Sequence, residues 1–121
     1  MSLMKDNVIL SKSFEFAISA VRICMAVRRR HSEYDMTKQL SRSATSIGAN
    51  ATEADAAYSR KEFEFKMQIA YKEARESHYW IKVMKKVEYL NYQEAQDLLA
   101  KCEELVMILN RILISSKQAR R

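Results

Sequence analysis

In 121 residues the chain contains no proline and a single glycine, Gly48. Sheet proteins turn on Gly, Pro and Asn at every hairpin, because tight turns need a positive or a preset φ, and that chemistry is missing here. Helix interiors need neither residue and are weakened by both. Alanine, lysine, glutamate, arginine and leucine dominate instead, and these are strong helix formers. The expectation is an all-α chain. At this length it makes one domain, residues 1–121, around one core.

Polar punctuation divides the chain into four segments. Ser59-Arg60-Lys61-Glu62 and Asn91-Tyr92-Gln93-Glu94 each fit a capping box, in which the first side chain accepts from an orphan N–H and the glutamate reaches back. Helices are predicted at roughly 10–31, 36–57, 60–88 and 92–116. Connections this short make sequential helices antiparallel neighbours, which defines an up-down four-helix bundle.

Apolar residues recur at helical spacing in each segment. The first offers Leu10, Phe14, Ile18, Val21 and Met25, and the second Met36, Leu40, Ala44, Ile47, Ala51 and Ala54. The third offers Phe63, Met67, Ala70, Ala74, Ile81 and Met84. The fourth runs through Ala95, Leu98, Leu99, Cys102, Leu105, Val106, Leu109, Ile112 and Leu113. These stripes account for one bundle core. Second apolar lines remain, Phe16, Ala20, Ile23 and Val27 on helix 1 and Phe65, Ile69, Trp80, Val83 and Val87 on helix 3. A monomer would leave both in water, so they read as oligomer interface, with Phe16, Ile23, Val27, Phe65, Ile69, Trp80 and Val83 as its residues. The competing account is a broad core face with a few stray exposed residues. Helix 2 carries a small polar second face, Ser43, Ser46, Asn50, Glu53 and Ala57, in which Asn50 and Glu53 read as packing and pairing residues.

No apolar run approaches the ~20 residues that span a bilayer. Met1 to Leu10 lacks the apolar stretch and small-residue cleavage site of a signal peptide. Cys24 and Cys102 lie on apolar helix faces without metal or redox spacing and read as reduced core residues of a cytoplasmic protein.

Catalytic chemistry finds little support. A di-iron bundle wants Glu-x-x-His on two helices, yet the residue three before His78 is Arg75, and the other histidine is His31. His78, near the edge of the helix 3 core stripe, reads as a satisfied structural histidine. Helical nucleases of the HEPN type resemble this architecture and place an arginine shortly before a histidine. The corresponding positions here are Cys24-Met25-Ala26 and Tyr71-Lys72-Glu73. One glycine cannot build a phosphate-cradling loop, and Ser, Cys and His form no recognisable nucleophile–base pattern. The expectation is a protein that is not an enzyme, with no cofactor and no metal.

The net charge is +6, and its excess falls on residues 1–34 and 59–90. On helix 3, Lys61, Gln68, Lys72, Arg75, Tyr79, Lys82 and Lys86 share about a quarter of the helical wheel. Helix 1 adds Arg22 and the run Arg28-Arg29-Arg30. Cations aligned this way neutralise phosphates without reading base edges, and Arg22, Arg29, Arg30, Lys72, Arg75, Lys82 and Lys86 are the expected nucleic-acid contacts. Two bland accounts compete. Glu64, Glu73 and Glu76 interleave with the stripe and would form ordinary i,i+3 or i,i+4 pairs. The arginine run also suits a helix C-terminus, where the dipole favours cations.

The middle of the chain carries a resemblance. Residues 41–57, Ser41-Arg42-Ser43-Ala44-Thr45-Ser46-Ile47-Gly48-Ala49-Asn50-Ala51-Thr52-Glu53-Ala54-Asp55-Ala56-Ala57, resemble the signature second helix of the bacterial four-helix-bundle proteins, also called 23S rRNA intervening-sequence proteins. Ser59-Arg60-Lys61-Glu62-Phe63 and Lys72-Glu73-Ala74-Arg75-Glu76-Ser77-His78-Tyr79-Trp80-Ile81 continue the match. Some members are encoded within insertions in 23S rRNA genes, a genomic position that does not by itself imply a ribosomal role. The family is similar to the accessory protein of diversity-generating retroelements, a basic homopentameric barrel that binds nucleic acid and a reverse transcriptase. The resemblance therefore implies a pentamer, an RNA or DNA partner and, by analogy, such an enzyme as protein partner. The family motif maps onto Arg42, Asn50, Glu53, Lys72, Glu73, Arg75, Glu76, Tyr79 and Trp80, and the resemblance implies interface or salt-bridge roles for several of these. A scaffold module that binds protein, with charges serving solubility, is the alternative from another class.

Overall fold

The computed structural model describes residues 8–119, so most of the segment read above for a signal peptide lies outside the described residues. Four helices follow in order: α1 Val8–His31, α2 Asp35–Asp55, α3 Arg60–Lys86 and α4 Tyr92–Ala119. No strand occurs among the described residues, and none of the helices is long and apolar enough to cross a membrane.

The helix ends follow from local chemistry. The Ser59 hydroxyl accepts from Glu62 N at 3.1 Å, while the Glu62 carboxylate takes the N–H of Tyr58 instead of that of Ser59. Asn91 and Glu94 form the complete reciprocal box, at 2.8 and 2.9 Å. The Glu33 carboxylate caps α2 by accepting from Met36 N and Thr37 N. With no glycine available, α1 and α3 stop on Ser32 and Glu88 at φ 51° and 66°. A left-handed residue with a side chain costs roughly 1–2 kcal/mol, so tertiary packing holds both stops.

Each helix runs antiparallel to its neighbour in sequence. Arg28 Nε donates to Thr37 Oγ1 across α1 and α2. Ser43 bonds Ser77 and Lys66 pairs with Glu53 across α2 and α3. Ser116 bonds Glu64 and His78 bonds Glu103 across α3 and α4. The ring closes through Arg30–Glu94 and Lys12–Glu104, where α1 meets α4 along the thinnest seam. In this square α1 and α3 lie across one diagonal, and α2 and α4 across the other.

The core faces of α2, α3 and α4 are the expected ones, with Leu40, Ile47, Phe63, Met67, Leu98 and Leu109 fully enclosed. Each large side chain buried this way contributes about 1.5–3 kcal/mol. Helix α1 is rotated from the expected register. Phe16 and Val27, expected at an oligomer interface, are 0% exposed in the core of a single chain and present nothing to a second copy. Ile23 is half-buried against the same core. Phe14, Ile18 and Met25, expected inside, lie outside, at 66%, 39% and 48% exposure.

The physical reason is size. The buried face of α1 carries Ser13, Ala20 and Cys24 between its larger residues, which lets α1 settle close on α2. A Cβ at Gly48 would stand 3.3 Å from Ser13 Oγ, so the one glycine sits at that approach. The buried hydroxyls are satisfied locally: Ser13 donates to Leu10 O, and the Ser43 and Ser77 hydroxyls meet at 2.8 Å.

Candidate nucleic-acid interface

On α3 the core-facing row fixes what points outward. With Phe63, Met67, Ala70, Ala74, Ser77, Ile81 and Met84 buried, a period of 3.6 sends Lys61, Lys72, Tyr79 and Lys86 to the opposite side. All of these, with Arg75 and Lys82, are exposed, and Gln68 is half-buried among them. The cations from Lys72 to Lys86 extend over about 21 Å of helix at 1.5 Å per residue.

The interleaved glutamates do not pair with the lysines of this face. Arg42 of α2 reaches both Glu73, at 3.1 Å, and Glu76, at 2.6 Å. The Trp80 indole donates to Glu76 as well, at 3.2 Å. Glu64 is turned to the other flank, where it accepts from the Ser116 hydroxyl of α4. Glu62 is held at the helix start. Among the described residues, no carboxylate oxygen lies within 4.0 Å of the ammonium of Lys61, Lys72, Lys82 or Lys86. Among the described residues the i,i+3 and i,i+4 pairs of the competing account are therefore not formed with these lysines, and the acids meet Arg42 of α2 and Ser116 of α4 instead.

The Arg42 hydrogen bond, its largest cause, holds the Glu76 carboxyl below its ordinary 4.5, against the opposing effect of burial. A carboxylate with a lowered folded pKa contributes stability that is present above the ordinary value and lost as pH falls through the lowered one. Arg42→Ala is expected to cost up to about 1 kcal/mol at neutral pH, the upper range for exposed pairs. Urea denaturation across the acid range should show this gap closing as pH drops below 4.5. A gap that ignores pH would contradict the assignment.

Helix α1 contributes to another surface. Arg22 and Arg29 are exposed, but α1 and α3 are diagonal, so their outward faces point to opposite sides of one protomer. Arg30 is occupied: its guanidinium bonds both Glu94 oxygens, at 2.8 and 3.0 Å, and Tyr89 O at 2.8 Å. The seven expected contacts thus do not form one site. Lys72, Arg75, Lys82 and Lys86 do share a face. Arg75 donates to the Tyr71 hydroxyl at 3.1 Å and lies 5.9 Å from its ring centroid.

Sequence reasoning missed the continuation of this face toward α4. A shallow cavity of about 720 Å³ between α3 and α4 is lined by His78, Lys82, Lys85, Lys86, Glu88, Leu99 and Glu103. Lys85, three residues after Lys82, carried the signal in its spacing. His78 meets Glu103 at 3.0 Å, as a satisfied histidine would.

The remaining motif residues act both between helices and within one. Glu53 pairs with Lys66 of α3 at 2.6 Å, while Asn50 donates to Ser46 O of its own helix. Tyr79 stands edge-on to Trp80, 5.2 Å between ring centroids. Trp80 is half-buried against the core, so most of that ring is spent inside the protomer. Among the described residues no three His, Cys, Asp or Glu side chains come together to hold a metal. Both cysteines are free and buried, and desolvation pushes the Cys102 thiol up to about 12, far from thiolate reactivity.

Fold and surface together define a small helical bundle with one basic helix face kept clear of its own acids. The chain belongs to the 23S rRNA-intervening sequence protein family, whose profile matches residues 5–111. It is similar to a crystal structure from Bacteroides thetaiotaomicron described as a protein of unknown function from the S23 ribosomal protein family. That likeness has a TM-score of 0.85 at 37% identity, covering 88% of this chain and 98% of the other. No curated protein matches.

Proposed function

We propose that this protein is a homo-oligomer that binds RNA or DNA through the phosphate backbone, using the outward face of α3. One observation carries the reading: Glu73, Glu76 and Glu64 of α3 are drawn to its two flanks by Arg42 and Ser116, and among the described residues no carboxylate pairs with Lys72, Lys82 or Lys86. An uncompensated cationic row in water attracts polyanions, and the attraction is independent of base sequence. Its role is that of a non-catalytic accessory factor.

The oligomer rests on apolar surface. Seven-residue steps from Phe14 reach Val21 and then Arg28, which bonds Thr37 of α2, so this row forms the shoulder of α1 beside α2. On α3 the steps Ile69, Glu76 and Val83 run along the opposite shoulder of α2, since Glu76 bonds Arg42. Two unlike apolar rows on two faces of one protomer favour head-to-tail contact, which gives a ring where its rotation closes. Five is the subunit count that the resemblance to the retroelement accessory protein implies.

Lysine acetylation followed by mass spectrometry tests the surface. Bound oligonucleotide should protect Lys72, Lys82 and Lys86 while Lys38 of α2 and Lys117 of α4 stay reactive. Equal labelling with and without oligonucleotide would remove the assignment.

A further inference from the structure

The outward row of α3 is not only basic. Phe65, Lys72, Tyr79 and Lys86 follow one another at seven-residue intervals, about 10.5 Å apart along the helix. The rings are 63% and 60% exposed, and the seven-residue spacing places both on one line with the two lysines. Neither ring is drawn into the core cluster, whereas the neighbouring Trp80 packs against it. The edge-on Trp80 contact at 5.2 Å backs Tyr79 from one side.

From this alternation we infer that the preferred ligand is an unpaired strand of RNA or DNA, which stacks bases on Phe65 and Tyr79 while Lys72 and Lys86 take its phosphates. The inference rests on the phosphate-binding reading above and adds the ligand's form. In a duplex the base faces are stacked on each other, so a ring on a convex helix reaches only backbone. In an unpaired strand each base offers a free π-face, and stacking is tolerant of base identity. Lysines alone would favour the duplex, whose charge density is higher. The alternating rings give the surface a reason to choose the strand.

The test is a fluorescence-anisotropy comparison of a labelled single strand with the same strand annealed to its complement, using the full-length protein. The strand should bind at least about tenfold tighter than the duplex. Tyr79→Ala and Phe65→Ala should each weaken strand binding about 5- to 100-fold, leave duplex affinity unchanged and keep the salt dependence. Tyr79→Trp should retain strand binding. Both rings lie outside the core, and circular dichroism and light scattering confirm that fold and assembly survive. Should the Phe65 variant alter assembly, the Tyr79 pair decides alone. Equal affinity for strand and duplex, or Tyr79→Ala without effect, would overturn the inference and leave phosphate binding standing. Absence of salt-sensitive binding to either form would overturn both.

Discussion

Phe16→Ala should destabilise the fold of the protomer by about 3–5 kcal/mol, while Phe14→Ala, two residues away, should cost that single-chain fold no more than about 0.5 kcal/mol. Phe16 is enclosed at 0% exposure between its neighbours, and truncation loses both its transfer free energy and the packing around it. Phe14 stands 66% in water and has little burial to lose within one chain. Urea denaturation of both variants at one protein concentration reads the difference. Phe14 belongs instead to the apolar shoulder of α1. Phe14→Asp should therefore keep the helical content of the protomer and yield smaller species by light scattering on a size-exclusion column. A wild-type monomer in that experiment, or equal destabilisation by the two alanine variants, would contradict the assigned faces.

Charge reversal on α3 has the larger functional effect. Lys72→Glu combined with Lys82→Glu removes two phosphate contacts and places two anions on the same face. The affinity for nucleic acid at low salt should fall at least about 100-fold, with the thermal midpoint nearly unchanged. Neither ammonium has a carboxylate partner among the described residues, so no internal ion pair is broken. The same reversal at Arg22 and Arg29 on the far side of the protomer serves as the control. It should weaken binding less, because those arginines lie across the diagonal from α3. Retained binding by the α3 variant would move the function to another surface.

Most of the fold was legible because in α2, α3 and α4 the row read as core is the row that is buried. Helices α1 and α3 each carry two apolar rows, and on α1 a periodicity count favours the larger side chains of Phe14, Ile18 and Met25. What decides the register is closeness to α2, which needs Ser13 opposite Gly48 and small residues such as Ala20 along the same buried face. A lone glycine in an otherwise helical segment was the available signal. The lysine row of α3 was legible in the same way, as a matter of spacing. The fate of its glutamates was not, because Arg42 lies more than thirty positions earlier and meets them only across a helix pair. Likewise, nothing local announces that Arg30 is captured by Glu94 and Tyr89 O. The antiparallel order did imply that α1 and α3 are diagonal. That geometry separates the two basic segments that composition alone had joined.

Phosphate binding by the α3 face is read from the affinity of the wild-type protein for a labelled oligonucleotide, measured at several salt concentrations. With three to five phosphate contacts per protomer, the logarithm of affinity should fall against the logarithm of salt with a slope of about −2 to −3.5 on single strands. A slope near zero, or no binding at low salt, would contradict it and favour a protein-binding scaffold.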